Sequence, residues 1–313
     1  GTDIILMRNA GLRLDLDYLD TTGAEGVGLF RTEFQFLVSD TLPRVDEQIA
    51  LYERVIASAA GRPVLFRTVD LGGDKVLPNL NRQREENPAL GWRSIRFALD
   101  SQGLFRRQLR ALIRAARGGP LALMFPMVTT PDEFIDARAL LMKEIEWSES
   151  QGFAPPSDLS VGVMLEAPAL AYSLDEIAEG ADFVSIGTND LMQFFFAADR
   201  MSPQVSTRYD LISRPAIRFL RYVSETCDGL DLPVSICGEA TAEPLEALCL
   251  ITLGFRRLSM PAGGIGPVKK MVRSVNLEAF KTAFFDRFQT SNGSFRNEVL
   301  ALARDHGVEL NES

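Results

Sequence analysis

Two carboxylates near the middle of the chain follow short apolar runs and are of the type that binds a hard divalent cation. Glu166 closes the run that begins at Val161, and Asp190 follows the run that begins at Phe183. Both runs are apolar and rich in β-branched residues, which predicts two buried strands that open onto loops. If parallel strands close into a barrel, the two acids converge at its mouth. The pattern therefore predicts a magnesium site that keeps positions open for water and substrate oxygens.

Basic and polar residues end several other strand-like runs at the corresponding place. Arg31, Arg67 and Asn9 lie at or beside the ends of three such runs, and Cys237 follows a fourth. Because the carboxyl ends of barrel strands share one mouth, these side chains are expected to face one site. The planar fork of arginine binds phosphate and carboxylate bidentately, which favours a phosphorylated carboxylic acid as the ligand. Arg200 could return to the same site from a loop.

The three cysteines and the single histidine limit the chemistry. Cys237 is open to two interpretations, a small buried hydrophobe at a strand end or a thiol that gives or takes a proton in the pocket. Cys227 and Cys249 fall in helical segments and are interpreted as packing residues. No CxxC spacing is present, which favours a reducing cytosol over a disulfide framework. His306 is the only histidine, which argues against His-ligated metals and a Ser-His-Asp triad.

The elements that must position these residues alternate along the chain. Eight β-like runs, most of them separated by helical-period segments, predict an α/β fold of the (β/α)8 TIM barrel type, with a doubly wound open sheet as the alternative. Residues 1–275 are assigned to the barrel and residues 276–313 to a C-terminal extension of two helices. The polar segment 70–93 is expected to be an active-site loop. The glycine-rich run 263–267 is expected to be a tight turn or a phosphate site before a helix.

Composition places the chain among globular proteins with one large core. It has 313 residues, of which 46% are hydrophobic and 24% are charged. A formal net charge of −9, from 42 acids and 33 bases, argues against nucleic acid or an anionic membrane surface as the main partner. No apolar run reaches about 18 residues and no signal peptide opens the chain. A soluble cytoplasmic protein is expected.

Six short motifs resemble those of one known family. They are Gly28-Leu29-Phe30-Arg31-Thr32-Glu33-Phe34, Arg67-Thr68-Val69-Asp70-Leu71-Gly72-Gly73-Asp74-Lys75, Glu86-Asn87-Pro88-Ala89-Leu90-Gly91-Trp92-Arg93, Glu166-Ala167-Pro168, Gly187-Thr188-Asn189-Asp190-Leu191 and Cys237-Gly238-Glu239. In this order and at these spacings they resemble the C-terminal phosphoenolpyruvate-binding domain of phosphoenolpyruvate-protein phosphotransferase, enzyme I of the bacterial phosphotransferase system. The segment from Met192 to Arg200 is similar to the nitrogen-related branch.

The resemblance implies a role for each matching residue. The implied magnesium ligands are Glu166 and Asp190. The residues implied to hold the phosphate and carboxylate of phosphoenolpyruvate are Arg31, Arg67, Asn189 and Arg200, with Arg93 and Lys75 as secondary contacts from the long loop. Cys237 is implied to be the general acid that protonates the methylene carbon of the enolate and so yields pyruvate.

The resemblance also implies partners. In the family, the phosphoryl group passes to a histidine on a separate N-terminal domain and then to a phosphocarrier protein, and the phosphoenolpyruvate-binding domain forms a homodimer. This chain begins at Gly1 and holds no such histidine segment. We therefore expect that the N-terminal phosphohistidine domain is absent from this chain, which would bind phosphoenolpyruvate without completing the transfer alone.

Other functions remain open on the same residues. Pyruvate phosphate dikinase and phosphoenolpyruvate synthase share several of the motifs. A magnesium-dependent lyase or aldolase of the phosphoenolpyruvate/pyruvate barrel group would also use a Glu and Asp pair, and would cleave a carbon-carbon bond without a partner domain. A non-catalytic ligand-sensing dimerisation module would bind the ligand without transferring a phosphoryl group.

Overall fold

The eight strands form a closed parallel barrel in which each strand pairs with its sequence neighbours and the last pairs with the first. The computed structural model describes residues 2–12, 15–16, 19–34, 43–72, 85–290 and 293–310. The strands are β1 (Ile5–Ala10), β2 (Val27–Arg31), β3 (Val64–Arg67), β4 (Leu121–Phe125), β5 (Leu159–Leu165), β6 (Phe183–Gly187), β7 (Val234–Cys237) and β8 (Arg257–Met260). The predicted (β/α)8 barrel is confirmed, and the open sheet is excluded.

Helices surround the barrel and continue beyond it. Those that the structure describes are α1 (Leu19–Thr22), α2 (Val45–Ser58), α3 (Ser94–Asp100), α4 (Gln102–Ala116), α5 (Pro131–Ser150), α6 (Leu174–Ala178), α7 (Thr188–Phe195), α8 (Arg214–Gly229), α9 (Pro244–Thr252), α10 (Ala262–Ser274), α11 (Leu277–Thr290) and α12 (Phe295–Asp305). Short 3-10 turns lie at Pro88–Leu90, Pro168–Tyr172 and Glu239–Ala242. Among the described helices, none is long and apolar enough to cross a membrane.

Two hydrophobic layers hold the barrel together. Outward side chains of the strands pack against the helices, as where the Phe66 ring meets the rings of Phe30 and Tyr52 at 5.6 and 5.5 Å. A smaller cluster fills the barrel interior and includes Leu29 and Met124. Because both faces of a parallel barrel strand are buried, the strands appear in the sequence as continuous apolar runs.

One local expectation from the sequence needs correction. The glycine-rich run 263–267 is not a tight turn before a helix, because it forms the first turns of α10; the phosphate site expected at this helix start stays a prediction. A side chain at Gly264 would overlap Ala242, so this glycine allows α10 to approach the turn that follows β7, a tertiary requirement that periodicity does not reveal.

Candidate active site

Alternation along two strands turns the predicted arginines into the mouth of the barrel. Arg31 ends β2 in alternation with Leu29, and Arg67 ends β3 in alternation with Leu65. Leu29 belongs to the interior cluster and Leu65 packs against it. Since alternate side chains of a strand share a face, both arginines point inward. The β2 and β3 register places Arg31 directly beside Arg67.

The predicted acids and the thiol reach the same mouth from three neighbouring strands. Glu166 directly follows β5, and Asp190 lies in the first turn of α7, which begins where β6 ends. Cys237 is the last residue of β7, paired in register with Gly187 of β6. The closed barrel therefore gathers residues that lie far apart in the chain, and the site forms only when it closes.

Arg67 lies among three carboxylates below the protein surface. Its Nη2 donates to Glu33 Oε1 and lies 3.3 Å from Asp70 Oδ2, while Nη1 lies 3.8 Å from Glu166 Oε1. Burial disfavours its charge, but the negative charges of Glu33, Asp70 and Glu166 outweigh that effect and raise the pKa of Arg67 above its ordinary value. The guanidinium is therefore a permanent positive charge in a low-dielectric site.

Arg93, which directly precedes α3, is held in the same cluster. Its Nη2 donates to both oxygens of Asp70, at 3.1 and 3.0 Å, and its Nη1 lies 3.5 Å from Asp190 Oδ1. The side chain is only 2% exposed. Ser94 Oγ also donates to Asp70. Arg93 therefore stands at the centre of the site.

Glu166 has an unusual protonation equilibrium. Its Oε2 accepts a hydrogen bond of 2.8 Å from the backbone N–H of Met127. Burial raises the pKa of this carboxyl to about 7, helped by the negative charge of Asp190 and opposed by Arg67. The carboxylate form is therefore favoured by any positive charge that arrives beside it.

Cys237 is enclosed by the barrel interior and is 1% exposed. It clusters with Leu29, Met124 and Met164, and Ser185 Oγ lies 3.6 Å from its sulfur, within hydrogen-bonding distance. Burial raises the pKa of the thiol to about 11, although the Ser185 hydroxyl opposes the shift. The thiol keeps its proton at neutral pH. This state suits a proton donor and does not suit a thiolate nucleophile.

The turn after Cys237 needs glycine. Gly238 has φ +130°, a conformation that residues with a side chain rarely adopt, and a Cβ there would overlap the Thr188 hydroxyl. Thr188 Oγ1 donates to the Cys237 carbonyl at 3.1 Å. The same added Cβ would lie 3.3 Å from Asn189 Oδ1. Close packing here brings the thiol strand and the start of α7 together.

The remaining predicted residues lie around this centre. Arg200 Nη1 is 3.5 Å from Asp190 Oδ1, with the side chain 37% exposed. Arg31 is partly buried and lines a cavity of about 250 Å³ together with Asn9 and Glu239. Lys75 lies outside the described residues.

Two acids that hold the arginines were not among the predicted site residues. Asp70 and Glu33 are each 1% exposed, and both contact Arg67. Both occur in the quoted motifs, and each lies within three residues of a predicted arginine in the sequence. An acid within three residues of an arginine at a strand end was the sequence signal that could have identified both. The chain folds its arginines onto its own carboxylates, so the site is nearly charge-balanced before any ligand arrives.

The donor set suits a hard cation and an anionic ligand together. Glu166 and Asp190 offer carboxylate oxygens of the type that magnesium prefers. Within the described ranges, no cluster of three or more His, Cys, Asp and Glu residues could hold a metal ion. Two protein carboxylates leave coordination positions to water or substrate, while Arg67, Arg93 and Arg200 can bind phosphate and carboxylate groups.

Fold and site together define a (β/α)8 barrel protein with an arginine and carboxylate centre at the carboxyl ends of its strands. The family described as "PEP-utilising enzyme, PEP-binding domain" matches over residues 1–277. The chain belongs to this family.

Among similar proteins are two phosphoenolpyruvate-protein phosphotransferases and a multiphosphoryl transfer protein. The phosphoenolpyruvate-protein phosphotransferases of Bacillus sp. (strain S) and Bacillus subtilis (strain 168) are 41% and 40% identical over 278 and 308 residues, covering 89% and 97% of this chain and 48% and 53% of their own length. Multiphosphoryl transfer protein 1 of Escherichia coli (strain K12) is 38% identical over 276 residues, or 88% of this chain and 33% of its own. The chain spans about half the length of the phosphotransferases it matches.

Structural similarity to solved proteins is weaker. An HpcH/HpaI aldolase/citrate lyase family protein from Burkholderia cenocepacia J2315 is 15% identical, with a TM-score of 0.49, and covers 91% of this chain and 94% of its own. This similarity is too low to say anything about the chemistry of the site.

Proposed function

We propose that this chain binds phosphoenolpyruvate with magnesium and donates the phosphoryl group to a histidine on a separate N-terminal domain, releasing pyruvate. The observation that carries the proposal is the cluster in which Arg67 and Arg93 lie among Glu166, Asp190 and Asp70. The family match and the names of the relatives agree with this ligand.

The cluster suggests how the ligand would enter. Guanidinium groups lie within 4.0 Å of the carboxylates of Glu166 and Asp190. A cation and an anion that arrive together can replace these pairs, because the carboxylates take the cation and the arginines take phosphate and carboxylate oxygens. No charge is then left buried without a partner, which would otherwise cost several kcal/mol or more.

Glu166 and Asp190 would hold the magnesium ion. The raised pKa of Glu166, about 7, supports this role, because the ionised form of that carboxyl needs a nearby positive charge. When bound, the ion offsets negative charge on the transferring phosphoryl group and on the enolate left behind. Glu166 and Asp190 would bind the ion without a third protein carboxylate.

The arginines and the amide would position the substrate. Arg31, Arg67 and Arg200 would hold its phosphate and carboxylate oxygens together with Asn189, and Arg93 would add a contact from the long loop. Lys75 is proposed as a further contact from the sequence alone. Phosphoryl transfer depends on positioning and charge stabilisation more than on covalent chemistry by the protein, which is what this set can supply.

Cys237 would complete the reaction as proton donor. When the phosphorus-oxygen bond of phosphoenolpyruvate breaks and the phosphoryl group bonds to the histidine nitrogen, the enolate of pyruvate remains. The Cys237 thiol would transfer its proton to the methylene carbon, and the resulting thiolate would regain a proton from solvent. Its burial keeps it protonated at neutral pH until that step.

The partners belong to the same proposal. The histidine domain would pass the phosphoryl group to a phosphocarrier protein of a phosphotransferase system, and we place the protein in the nitrogen-related branch. A homodimer in the cytoplasm is the proposed working form. The relatives that name this activity are about twice as long as the chain, which agrees with a further domain in the working enzyme.

Calorimetric titration with phosphoenolpyruvate, with and without magnesium, tests the binding step. Binding should require magnesium and should be lost in Glu166→Ala and Arg67→Ala. Arg221→Ala serves as a control, since this half-exposed arginine lies on α8 and pairs with Glu225; its affinity should match the parent's. Unchanged affinity in both site variants would refute the assignment.

Adding a histidine-bearing N-terminal domain in trans tests the transfer step. Pyruvate and phosphohistidine should then form together in equal amounts. Binding without either product would favour the ligand-sensing module. Pyruvate release from a panel of 2-keto acids, without the added domain, would favour a lyase.

A further inference from the structure

We propose that Arg296, in the C-terminal helices, is a positioning residue that holds the loop bearing Arg200 at the active site. This inference rests on the proposed function, because it assigns Arg200 a phosphoenolpyruvate contact. The family match ends at residue 277, so Arg296 lies in the part of the chain that the match does not cover. The helices α11 and α12 would then be part of the substrate site's support and not an appendage to it.

The loop between α7 and α8 controls where Arg200 points. The Arg200 side chain is 37% exposed and, among the residues that the structure describes, makes one ion pair, with Asp190 at 3.5 Å. Its backbone N–H donates to Gln193 Oε1 at 3.1 Å. A long side chain with so few contacts depends on its backbone for its position. The site therefore needs this loop to be held at both ends.

The two ends of the loop meet in a ring stack. The Phe196 ring lies on the Tyr209 ring with centroids 4.9 Å apart and planes 19° apart. Between them the backbone makes local turns, such as Ser206 N–H to Ser202 O at 2.9 Å. The loop is thus compact, and its two ends lie close together. The residues that hold these two ends determine its orientation.

Asp210 anchors the base of the loop to the C-terminal helices. Arg296 on α12 donates from Nε and Nη2 to the two carboxylate oxygens of Asp210, the second bond being 2.8 Å. Asp210 Oδ1 also accepts from the backbone N–H of Ile212 at 2.8 Å. Arg296 therefore makes the two parallel bonds that fix both the distance and the orientation of a carboxylate.

Arg296 also reaches the element that follows Cys237. Its Nη2 donates to Glu246 Oε1 on α9, whose side chain is only 12% exposed. One guanidinium thus joins the loop that bears Arg200 to the helix that follows the turn after β7. A lysine cannot do the same, because its single ammonium cannot reproduce the fork on Asp210 and the bond to Glu246 at once.

The helix that carries Arg296, α12, is held in place by packed aromatic rings. Phe295, its neighbour, is 4% exposed and its ring packs on those of Phe284 and Phe288 at 5.2 and 5.1 Å. The Arg214 guanidinium, at the start of α8, lies 5.1 Å from the Phe295 ring and donates to the Phe288 carbonyl. The C-terminal helices therefore contact the start of α8 directly after the loop, and Arg296 adds a contact to Asp210.

Arg296→Met tests the proposal in the full chain. Phosphoenolpyruvate affinity in the presence of magnesium should fall about tenfold, a usual size for coupling between separate parts of a protein, and Arg296→Lys should recover only part of it. Arg221→Met is the matched control, because Arg221 stacks on Phe285 of α11 at 4.7 Å and contacts neither the loop nor Asp210. Its affinity should equal the parent's. Equal affinity of Arg296→Met and the parent would overturn the proposal.

A double-variant measurement shows whether the effect passes through Arg200. The double variant Arg200→Met, Arg296→Met should bind no more weakly than Arg200→Met alone, because a loop without its arginine has nothing left to position. A second full loss of affinity in the double variant would mean that Arg296 acts by another route and would overturn the proposal.

Limited trypsin digestion of the ligand-free protein tests the anchoring by itself. Cleavage after Arg200 and Arg208 should become faster in Arg296→Met and stay at the parent's rate in Arg221→Met, because cleavage follows local opening of the loop. Unchanged cleavage in Arg296→Met would overturn the anchoring whatever the ligand is. A parent protein that fails to bind phosphoenolpyruvate would instead overturn the proposed function, so the two failures are distinct.

Discussion

Arg93 donates hydrogen bonds to both carboxylate oxygens of Asp70, at 3.1 and 3.0 Å, in the interior of the barrel mouth. Arg67, from the end of β3, lies 3.3 Å from the same carboxylate. Asp70 is therefore the common partner of two arginines proposed to bind substrate. It keeps both guanidinium groups beside Glu166 and Asp190 before the ligand arrives.

Asp70→Asn should loosen both arginines. The amide preserves the size of the side chain but removes the charge, which leaves two buried guanidinium groups with a weaker partner. We expect the free energy of unfolding to fall by roughly 3 kcal/mol and phosphoenolpyruvate affinity to fall at least about tenfold. Urea denaturation and calorimetry measure the two effects. Glu53→Gln, at an exposed pair with Arg117, should change neither, and a normal affinity in Asp70→Asn would contradict the role.

Glu166→Gln should alter how stability depends on pH. The folded-state pKa of this carboxyl is about 7, against an ordinary value of 4.5, so the folded state binds its proton more tightly than the unfolded state. Stability contributed by that proton is present below pH 4.5 and is lost as the pH rises through 7. Glu166→Gln has no carboxyl at this position, so its stability does not fall in this way as the pH rises.

The difference should therefore be visible by denaturation at two pH values. At pH 8 Glu166→Gln should be more stable than the parent by up to roughly 3 kcal/mol, and near pH 4.5 the two should be close. The same variant should lose magnesium-dependent binding. Glu225→Gln, at an exposed carboxylate, should follow the parent at both pH values. A parent and Glu166→Gln that stay parallel between pH 4.5 and 8 would contradict the raised pKa.

Cys237→Ala should separate binding from proton transfer. Phosphoenolpyruvate affinity should stay near the parent's, while pyruvate formation with the histidine domain in trans should fall roughly 100-fold or more. Cys227→Ala is the control, because Cys227 is also buried with a pKa raised to about 11 but lies on α8. Its pyruvate yield should match the parent's. An undiminished pyruvate yield in Cys237→Ala would mean that Cys237 is a packing residue and not the proton donor.

Gly238→Ala should disturb the site through the backbone. Its φ of +130° and the overlap of a new Cβ with Thr188 both disfavour alanine. We expect a loss of roughly 1 to 3 kcal/mol in the free energy of unfolding and weaker substrate binding, as Asn189 is displaced. Gly61→Ala is a control for conformation alone, since Gly61 has φ +82° with open space around it. It should be less destabilised than Gly238→Ala and bind normally; equal losses would mean that the contact with Thr188 is unimportant.

Much of the fold was predictable because each barrel strand has its own local signal. The run that begins at Phe183 starts at the first residue of β6, and Glu166, which closes the run from Val161, directly follows β5. Periodicity failed where tertiary packing decides the outcome. The glycine-rich run 263–267 forms the first turns of α10, and at Gly264 the turn at Ala242 leaves no room for a side chain; a single sequence does not display that neighbour.

The site was predictable to a different extent. Residues at strand ends could be placed at one mouth, because closure of a parallel barrel leaves them no other place. The partners of those residues could not be placed. Asp70 lies three residues beyond the end of β3 and Arg93 directly precedes α3, and no repeat or spacing in the sequence encodes their pairing.

The sequence by itself determined the barrel, the strand-end positions of Arg31, Arg67 and Cys237, and the family that the motifs resemble. These follow from local rules: apolar periodicity makes the strands, and alternation decides which side chains point inward. The tertiary structure alone decided the charge balance of the site, the raised pKa values of Glu166 and Cys237, and the link from Arg296 to Asp210. Those properties depend on burial and on contacts between residues far apart in the chain, and both exist only once the chain has folded.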